Sequence, residues 1–156
     1  MFEFTEENQK RFLEILTRYP NKLAAMLPAL WLAQKQHGWL SPEVMEYVAG
    51  LIEVSPAKVY EVATFYTMFN KKPVGKYHFQ VCRTLSCQLN GAEKITECLK
   101  KKLGLNLGGT SEDGRYTLTE VECLGSCGTA PMLQLNDDYH ENLTEEALDQ
   151  LIESLD

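Results

Sequence analysis

The sequence lacks a long run of apolar residues. Its most apolar stretch, residues 23–33, is interrupted by Pro28 and followed by Gln-Lys-Gln-His. A helix that spans a membrane needs about 20 predominantly apolar residues. No direct membrane insertion is therefore expected, and another subunit must provide any attachment to a membrane. The N-terminal residues also lack the basic and apolar regions of a signal peptide, which predicts a cytoplasmic location with reduced thiols.

An excess of positive charge is also missing. The 15 Lys and Arg residues are outnumbered by 22 Asp and Glu residues, so the net charge is −7. An acidic surface repels phosphate, which argues against a nucleic-acid partner. The glycines Gly104, Gly108 and Gly109 lie in a loop without the preceding strand and following helix of a nucleotide fingerprint. We therefore expect no NADH or ATP site on this chain.

Histidine is scarce, with three residues in the whole chain. His37 is expected near a helix end, His78 in the middle of a strand and His140 in a loop. No His or Glu is positioned as an acid or base for catalysis. The sequence predicts structural or solvated histidines and no catalytic residue.

What the sequence does contain is two close pairs of cysteines. Cys82 and Cys87 lie in V-C-R-T-L-S-C, and Cys123 and Cys127 lie in E-C-L-G-S-C-G-T-A-P. The spacing is C-x4-C, then 35 residues, then C-x3-C. Two short-range pairs separated by most of a small domain are typical of a four-thiolate metal site. The fifth cysteine, Cys98, lies in a helical pattern and is predicted to be a small buried hydrophobe.

Spacing favours an iron–sulfur cluster over the alternatives but leaves them open. Structural zinc sites prefer tighter pairs, whereas wider loops suit a larger diiron core with two thiolates on each iron. A plant-type ferredoxin is excluded, because its third cysteine follows the C-x4-C step closely. Disulfides require an oxidising compartment and fit poorly with an odd number of cysteines. Zinc and disulfides therefore remain the alternatives at this point.

The periodicity of apolar residues along the sequence predicts an α+β protein with two domains. Residues 1–72 show helical periodicity, and four helices joined by tight turns predict a small N-terminal helical bundle. Thr5 and Asn21 are expected to cap the first two helices, and Gly38 is expected to end the second. Ser41-Pro42 and Ser55-Pro56 each place Ser at an N-cap and Pro at the first helical position. Residues 73–156 alternate strands with helices and predict a thioredoxin-like α/β domain that carries the cluster.

The predicted elements place both cysteine pairs just beyond the ends of strands. A strand over 76–81 leads to Cys82, and a strand over 116–121 leads to Cys123. Between them we expect a helix that is capped by Asn90 and ended by Gly104. A third strand over 132–135, a short strand over 138–140 and a helix capped by Thr144 follow. Open α/β sheets place their sites beyond the ends of strands, so the two loops are expected to converge.

The cysteine loops contain candidate hydrogen-bond donors for sulfur. Small residues allow backbone N–H groups to approach, and Thr84, Ser86 and Ser126 are predicted to add hydroxyl donors. Arg83 is the only cation within either cysteine loop, whereas Glu120 and Glu122 lie just before the second pair of cysteines. This charge balance favours a low reduction potential, because negative surroundings disfavour an added electron.

With these residues identified, the chain closely resembles the thioredoxin-like [2Fe-2S] subunit of NADH:quinone oxidoreductase, respiratory complex I. The resemblance covers residues 21–151. It rests on both cysteine pairs, on E-C-L-G-S-C-G-T-A-P-M and on the helical segments L-P-A-L-W-L-A-Q-K-Q-H-G-W-L-S-P and V-Y-E-V-A-T-F-Y-T-M-F. It implies that Cys82, Cys87, Cys123 and Cys127 hold one [2Fe-2S] cluster per chain.

The same resemblance implies an electron-transfer role and specific partners. FMN and NADH are expected on a partner flavoprotein subunit, and other peripheral-arm subunits are expected nearby, so the chain would be peripheral to the inner membrane through the complex. An equivalent subunit of a soluble NAD-linked formate dehydrogenase or hydrogenase is the nearest alternative. A free thioredoxin-like ferredoxin and a structural zinc protein are the others.

Overall fold

Serine, threonine and proline determine where most helices of the first half begin. In the computed structural model, which describes residues 2–155, the chain forms two compact units, Met1–Pro73 and Val74–Asp156. The predicted α+β class is confirmed, because described helices in the first unit are followed by helices and a five-stranded sheet in the second. None of the helices within residues 2–155 is long and apolar enough to cross a membrane.

The first unit contains four α-helices and one 3-10 turn among its described residues. They are α1 Glu6–Thr17, the 3-10 turn Leu23–Ala25, α2 Met26–His37, α3 Pro42–Ile52 and α4 Pro56–Phe65. The Thr5 hydroxyl accepts a hydrogen bond of 3.2 Å from the Asn8 N–H and caps α1, as predicted. Ser41 and Ser55 are the N-caps of α3 and α4, and a proline follows each of them.

The start of α2 differs from the sequence prediction. Asn21 was expected to cap this helix, but its side-chain oxygen accepts the Ala24 N–H at 2.9 Å and caps the 3-10 turn. At Ala25 the backbone has ψ 6°, which interrupts the α-helical hydrogen bonding, and α2 begins only at Met26. The predicted end is confirmed, because Gly38 adopts the left-handed conformation with φ 89°.

The core of the first unit is formed by the apolar faces of its helices. Among its fully buried side chains are Leu30, Val44 and Val59. Two polar residues, Gln34 and Ser41, are also buried, and the side chain of Gln34 has its hydrogen bonds satisfied. Its amide donates to the Met68 carbonyl at 3.0 Å, and its oxygen accepts the Asn70 N–H at 2.7 Å. These bonds fasten the segment after α4 to α2.

The second unit is an α/β structure with strand order β2-β3-β1-β4-β5. Its elements are β1 Tyr77–Cys82, α5 Leu85–Leu89, α6 Ala92–Leu103, β2 Gly109–Thr110, β3 Tyr116–Val121, a 3-10 turn Cys127–Thr129, β4 Leu133–Leu135, β5 Asp138–His140 and α7 Glu145–Glu153. Strands β1 and β3 are parallel, and every other pairing is antiparallel. The Thr144 hydroxyl caps α7 as predicted, and Gly104 ends α6.

Two local features of the second unit contradict the sequence prediction. Residues after Cys82 were expected to form a loop, but they form the short helix α5, in which the Gln88 N–H bonds the Thr84 carbonyl at 2.9 Å. Asn90 was expected to cap α6, but its N–H bonds the Ser86 carbonyl at 3.1 Å and it ends α5. Gly91, at φ 94°, reverses the chain before α6, a conformation that a residue with a Cβ rarely adopts.

The sheet brings the two cysteine-bearing loops to one edge. In the parallel pair, Cys82 at the end of β1 lies opposite Val121 at the end of β3. Helix α6 connects these strands, and its Ile95 and Leu99 pack in the same core as Phe79 of β1. Parallel neighbours joined by a helix have their carboxyl ends at the same edge. The predicted convergence of the two loops follows from this arrangement.

Candidate metal centre

The first cysteine pair is buried at the carboxyl end of β1. Cys82 is the last residue of β1, and Cys87 lies in α5, so helix formation turns the second thiol back toward the first. The Cys82 N–H bonds the Met132 carbonyl at 3.2 Å, which anchors this end of the strand to the following segment. The Thr84 hydroxyl lies 3.3 Å from Cys82 Sγ, as predicted for a donor to sulfur.

The second cysteine pair lies in the exposed loop after β3. The Cys123 and Cys127 sulfurs are 3.6 Å apart, and both residues are exposed. The Gly125 N–H donates to Cys123 Sγ at 3.4 Å. Gly125 has φ 86°, and this left-handed conformation, natural for glycine, lets the loop fold back so that its amide faces the sulfur.

Contacts across the two loops bring all four thiols to one site. Burial acts to raise the pKa of the Cys82 thiol. Hydrogen bonds from the Thr84 side chain and backbone, and then from the Leu124 backbone, outweigh burial and lower that pKa below its ordinary value. Leu124 belongs to the opposite loop. The Thr84 hydroxyl also helps to lower the pKa of Cys123, after the Gly125 N–H and Cys127. Thr84 therefore lies between the two pairs.

Each pair contains one thiol with a lowered pKa and one with a raised pKa. Burial, followed by the neighbouring Cys82, raises the pKa of Cys87 to about 11. Hydrogen bonding to Cys123 raises the pKa of Cys127. A cation bound at the site would favour the thiolate form of all four, since thiolates are the ligand form of cysteine.

The donor set fits a two-iron cluster. All five cysteines are free thiols. Within residues 2–155, no three His, Cys, Asp or Glu side chains surround a point where a single metal ion would sit. The four thiols meet instead as two pairs, and two thiolates on each iron is the ligand requirement of a [2Fe-2S] core. Soft sulfur donors together with the N–H and hydroxyl groups beside them suit the negative charge of such a core.

Several sequence predictions about the surroundings are corrected by the structure. Ser86 and Ser126 were expected to donate to sulfur. Instead the Ser86 hydroxyl donates to the Cys127 carbonyl at 2.8 Å, and the Ser126 hydroxyl bonds Glu141 and lies 2.7 Å from the Thr129 hydroxyl. Both hydroxyls are therefore bonded to oxygen atoms. The two serine hydroxyls therefore hold the loops in place and do not donate to the thiols.

Other residues near the loops are paired in ways that sequence reasoning missed. The Arg83 guanidinium forms an ion pair with the Glu122 carboxylate, at 2.7 Å between Nη2 and Oε1, so this loop cation is largely neutralised. The Tyr139 hydroxyl donates to the Leu124 carbonyl at 2.9 Å. No local sequence signal identifies Tyr139 or Glu141, because the chain reaches these contacts only by returning through β4 and β5.

The remaining candidate residues lie outside this cluster of thiols. Cys98 is buried in the core face of α6, and burial raises its pKa. His78 is buried in β1, and His37 is the last residue of α2. His140 was expected in a loop, but it is the last residue of the short strand β5.

The fold and the site together define a class of protein. The second unit is a thioredoxin-like α/β sandwich in which two cysteine pairs meet at the carboxyl ends of two parallel strands. A profile of the thioredoxin-like [2Fe-2S] ferredoxin family matches residues 12–156. The chain belongs to this family, and the predicted [2Fe-2S] cofactor is confirmed at the level of the family.

Curated relatives cover nearly the whole chain. The E-type subunit of the NADH-quinone oxidoreductase of Rickettsia felis is 50% identical over 155 residues, 97% of this chain and 93% of the relative. An E-type subunit of the NADH-quinone oxidoreductase of Rhizobium meliloti is 48% identical over 137 residues, 88% of this chain and 82% of the relative. The sequence-based resemblance to this oxidoreductase subunit is thus confirmed.

A solved structure shares the fold at low sequence identity. The crystal structure of an NAD+-reducing NiFe-hydrogenase in the air-oxidized state aligns with a TM-score of 0.70 and 19% identity. The alignment covers 80% of this chain and 22% of the hydrogenase chain. At this identity the likeness concerns the fold alone. The much higher identity to quinone oxidoreductase subunits favours that interpretation over the hydrogenase alternative.

Proposed function

We propose that this chain is the electron-transfer subunit of an NADH-quinone oxidoreductase and that Cys82, Cys87, Cys123 and Cys127 are the ligands of its cluster. The observation that supports the ligand set best is the meeting of the two thiol pairs, linked by the Thr84 hydroxyl and the Leu124 N–H. The relatives that share about half of the sequence are subunits of this type of complex.

The bound cluster supplies a site that accepts and returns one electron, with all of its protein ligands being sulfur. The residues around it bind and orient. The Gly125 N–H and the Thr84 hydroxyl face sulfur atoms and stabilise negative charge there. The chain therefore handles electrons and leaves bond-making to its partners.

A flavoprotein subunit is the proposed partner. NADH gives up two electrons together as a hydride, whereas a [2Fe-2S] cluster accepts one, so a flavin is expected between them; we expect FMN and NADH on that subunit rather than here. The exposed position of Cys123 and Cys127 supports electron exchange on this side, since a close approach shortens the path to a partner's cofactor. Attachment through the complex would make the chain peripheral to the inner membrane on the cytoplasmic side. Residues 1–72 and 73–156 are proposed to act as two domains, an assignment supported by the unit boundary after Pro73.

Anaerobic purification of the tagged chain from its own cells tests this function. We expect about two irons and about two acid-labile sulfides per chain, and co-purification of a flavoprotein that oxidises NADH. Cys123→Ala should abolish or badly degrade the visible absorption of the cluster. Cys98→Ala is the matched control and should leave the spectrum intact, because that thiol lies on the buried face of α6 in the hydrophobic core.

Two results would contradict the proposal. Stoichiometric zinc in a colourless protein would show that the four thiols hold a structural ion and not a cluster. Loss of the spectrum in the Cys98 variant, with retention in the Cys123 variant, would overturn the ligand assignment.

A further inference from the structure

The segment that follows β5 bonds the loop that carries Cys127. The Glu141 carboxylate oxygen Oε1 accepts hydrogen bonds from the hydroxyls of Ser126 and Thr129, the latter at 2.7 Å. The two hydroxyls are themselves 2.7 Å apart. Ser126 immediately precedes Cys127, and Thr129 closes the same 3-10 turn. Glu141 thus holds both ends of the turn that presents this thiol.

Backbone and side-chain bonds from the same segment extend the contact. The Asn142 N–H donates to the Thr129 carbonyl at 2.7 Å, and the Leu143 N–H donates to the Pro131 carbonyl at 3.0 Å. The Tyr139 hydroxyl donates to the Leu124 carbonyl at 2.9 Å. Residues 139–143 therefore fasten the second cysteine loop along its length. We call this set of hydrogen bonds the brace. Because its partners lie in different segments of the chain, the brace depends on tertiary structure.

Within the described residues, the carboxylate of Glu141 forms no ion pair. Among residues 2–155 no Lys, Arg or His forms an ion pair with this carboxylate, which is exposed and bonded by neutral hydroxyls. The Arg83 cation of the other loop is already paired with Glu122. The negative charge at Glu141 is therefore not locally cancelled. In addition, the hydroxyl hydrogens of Ser126 and Thr129 are directed to an oxygen and are withheld from sulfur.

We infer that Glu141 is a positioning residue for the cluster, an inference that rests on the proposed function. It fixes the turn around Cys127, and it lowers the reduction potential in two ways. Its negative charge disfavours an added electron, and its hold on two hydroxyls keeps them from stabilising the reduced state through hydrogen bonds to sulfur. Both effects act in the same direction.

Two substitutions of Glu141 distinguish the effect of its charge from the effect of its hydrogen bonds to the turn. Glu141→Gln keeps the shape and an oxygen acceptor but removes the charge, so the midpoint potential should become more positive while the cluster is retained. Glu141→Ala also removes the brace, so the potential should rise and the cluster should be lost to a chelator about ten times faster. Asp138→Asn is the matched control. It removes one charge from β5, and within the described residues its carboxylate accepts no hydrogen bond from the loop.

The measurements are an anaerobic potentiometric titration followed by electron paramagnetic resonance and the rate of bleaching by chelator. A double-mutant cycle of Glu141→Gln with Thr129→Val should be non-additive in midpoint potential, since the two side chains share one hydrogen bond. If Glu141→Gln shifts the potential no more than Asp138→Asn does, the inference is wrong although the proposed function stands. If the wild-type protein contains no iron or sulfide, the proposed function fails first.

Discussion

At the scale of single residues, His78 makes the stability of the fold depend on pH. It is buried within β1, and its Nε2 lies 2.8 Å from the hydroxyl oxygen of Thr119 on β3. Burial lowers its pKa from 6.5 to about 4, because a charged imidazolium is poorly solvated there. The folded protein therefore keeps this ring neutral at pH values where an unfolded chain would protonate it.

This difference predicts destabilisation in mild acid. Stability from the neutral ring is complete above the unfolded pKa of 6.5 and is lost as pH falls toward 4. At pH 5 the loss should reach about 2 kcal/mol relative to pH 7.5. Anaerobic urea denaturation at both pH values measures it, and His78→Gln should show a flatter dependence than wild type.

Gln80→Ala provides the comparison, because Gln80 lies in the same strand and has no ionisable group, so it should leave the wild-type pH slope unchanged. A wild-type slope in the His78 variant would contradict the prediction.

At the scale of secondary-structure elements, the two Ser-Pro starts look alike in sequence but differ in the structure. The Ser41 hydroxyl accepts the Val44 N–H at 3.2 Å and Ser41 is buried. Ser55 occupies the same cap position, yet its hydroxyl accepts no hydrogen bond from α4. The backbone of Ser55 contributes instead, with the Lys58 N–H donating to its carbonyl at 3.0 Å. Only the first serine therefore satisfies a free N–H of its helix with its side chain.

The two serines consequently form a matched pair for mutation. Ser41→Ala should lower the free energy of unfolding by about 1 kcal/mol, because a buried N–H loses its acceptor. Ser55→Ala should cost less than about 0.5 kcal/mol, since the backbone bond at this cap is retained. Urea denaturation of both variants measures the difference. Equal losses would show that the hydroxyl of Ser41 contributes nothing specific.

At the scale of the whole molecule, a short segment connects the two units. The last bonds of the first unit include those of Asn70, whose N–H donates to Gln34 Oε1 and whose carbonyl accepts the Leu40 N–H. The second unit is tied at Gly75, whose N–H donates to the Thr117 hydroxyl at 2.6 Å. Within the described part of the chain, residues 71–74 between these anchors make no hydrogen bond, and residues 71–73 are exposed.

Limited trypsin digestion should therefore cut first in this segment. Exposed, unbonded backbone is the preferred site of proteolytic nicking. Lys71 and Lys72 both lie there, and Pro73 protects the bond after Lys72, so the first cut is expected after Lys71. Mass spectrometry should detect fragments 1–71 and 72–156. Lys71→Gln should slow this cut, whereas a first cut among the lysines at the end of α6 would contradict the prediction.

Local patterns in the sequence were sufficient for much of the fold. Strand β3 was predicted with its observed bounds, since alternation along six residues is a local property. The caps at Thr5 and Thr144 were also predicted, because capping involves residues three apart. Helix α5 and the two-residue strand β2 were missed. Neither is long enough to show a period, and each forms only where neighbouring elements support it.

The sequence by itself determined the family, the pairs of cysteines and their position at the ends of strands. These depend on residue identity and on spacings of a few residues. Only the tertiary structure decided that the Thr84 hydroxyl serves Cys82 and Cys123 together, and that Glu141 holds the turn at Cys127. Those contacts join segments that are distant in the chain, and they arise because the parallel pairing of β1 and β3 and the return through β4 and β5 bring the segments to one edge of the sheet.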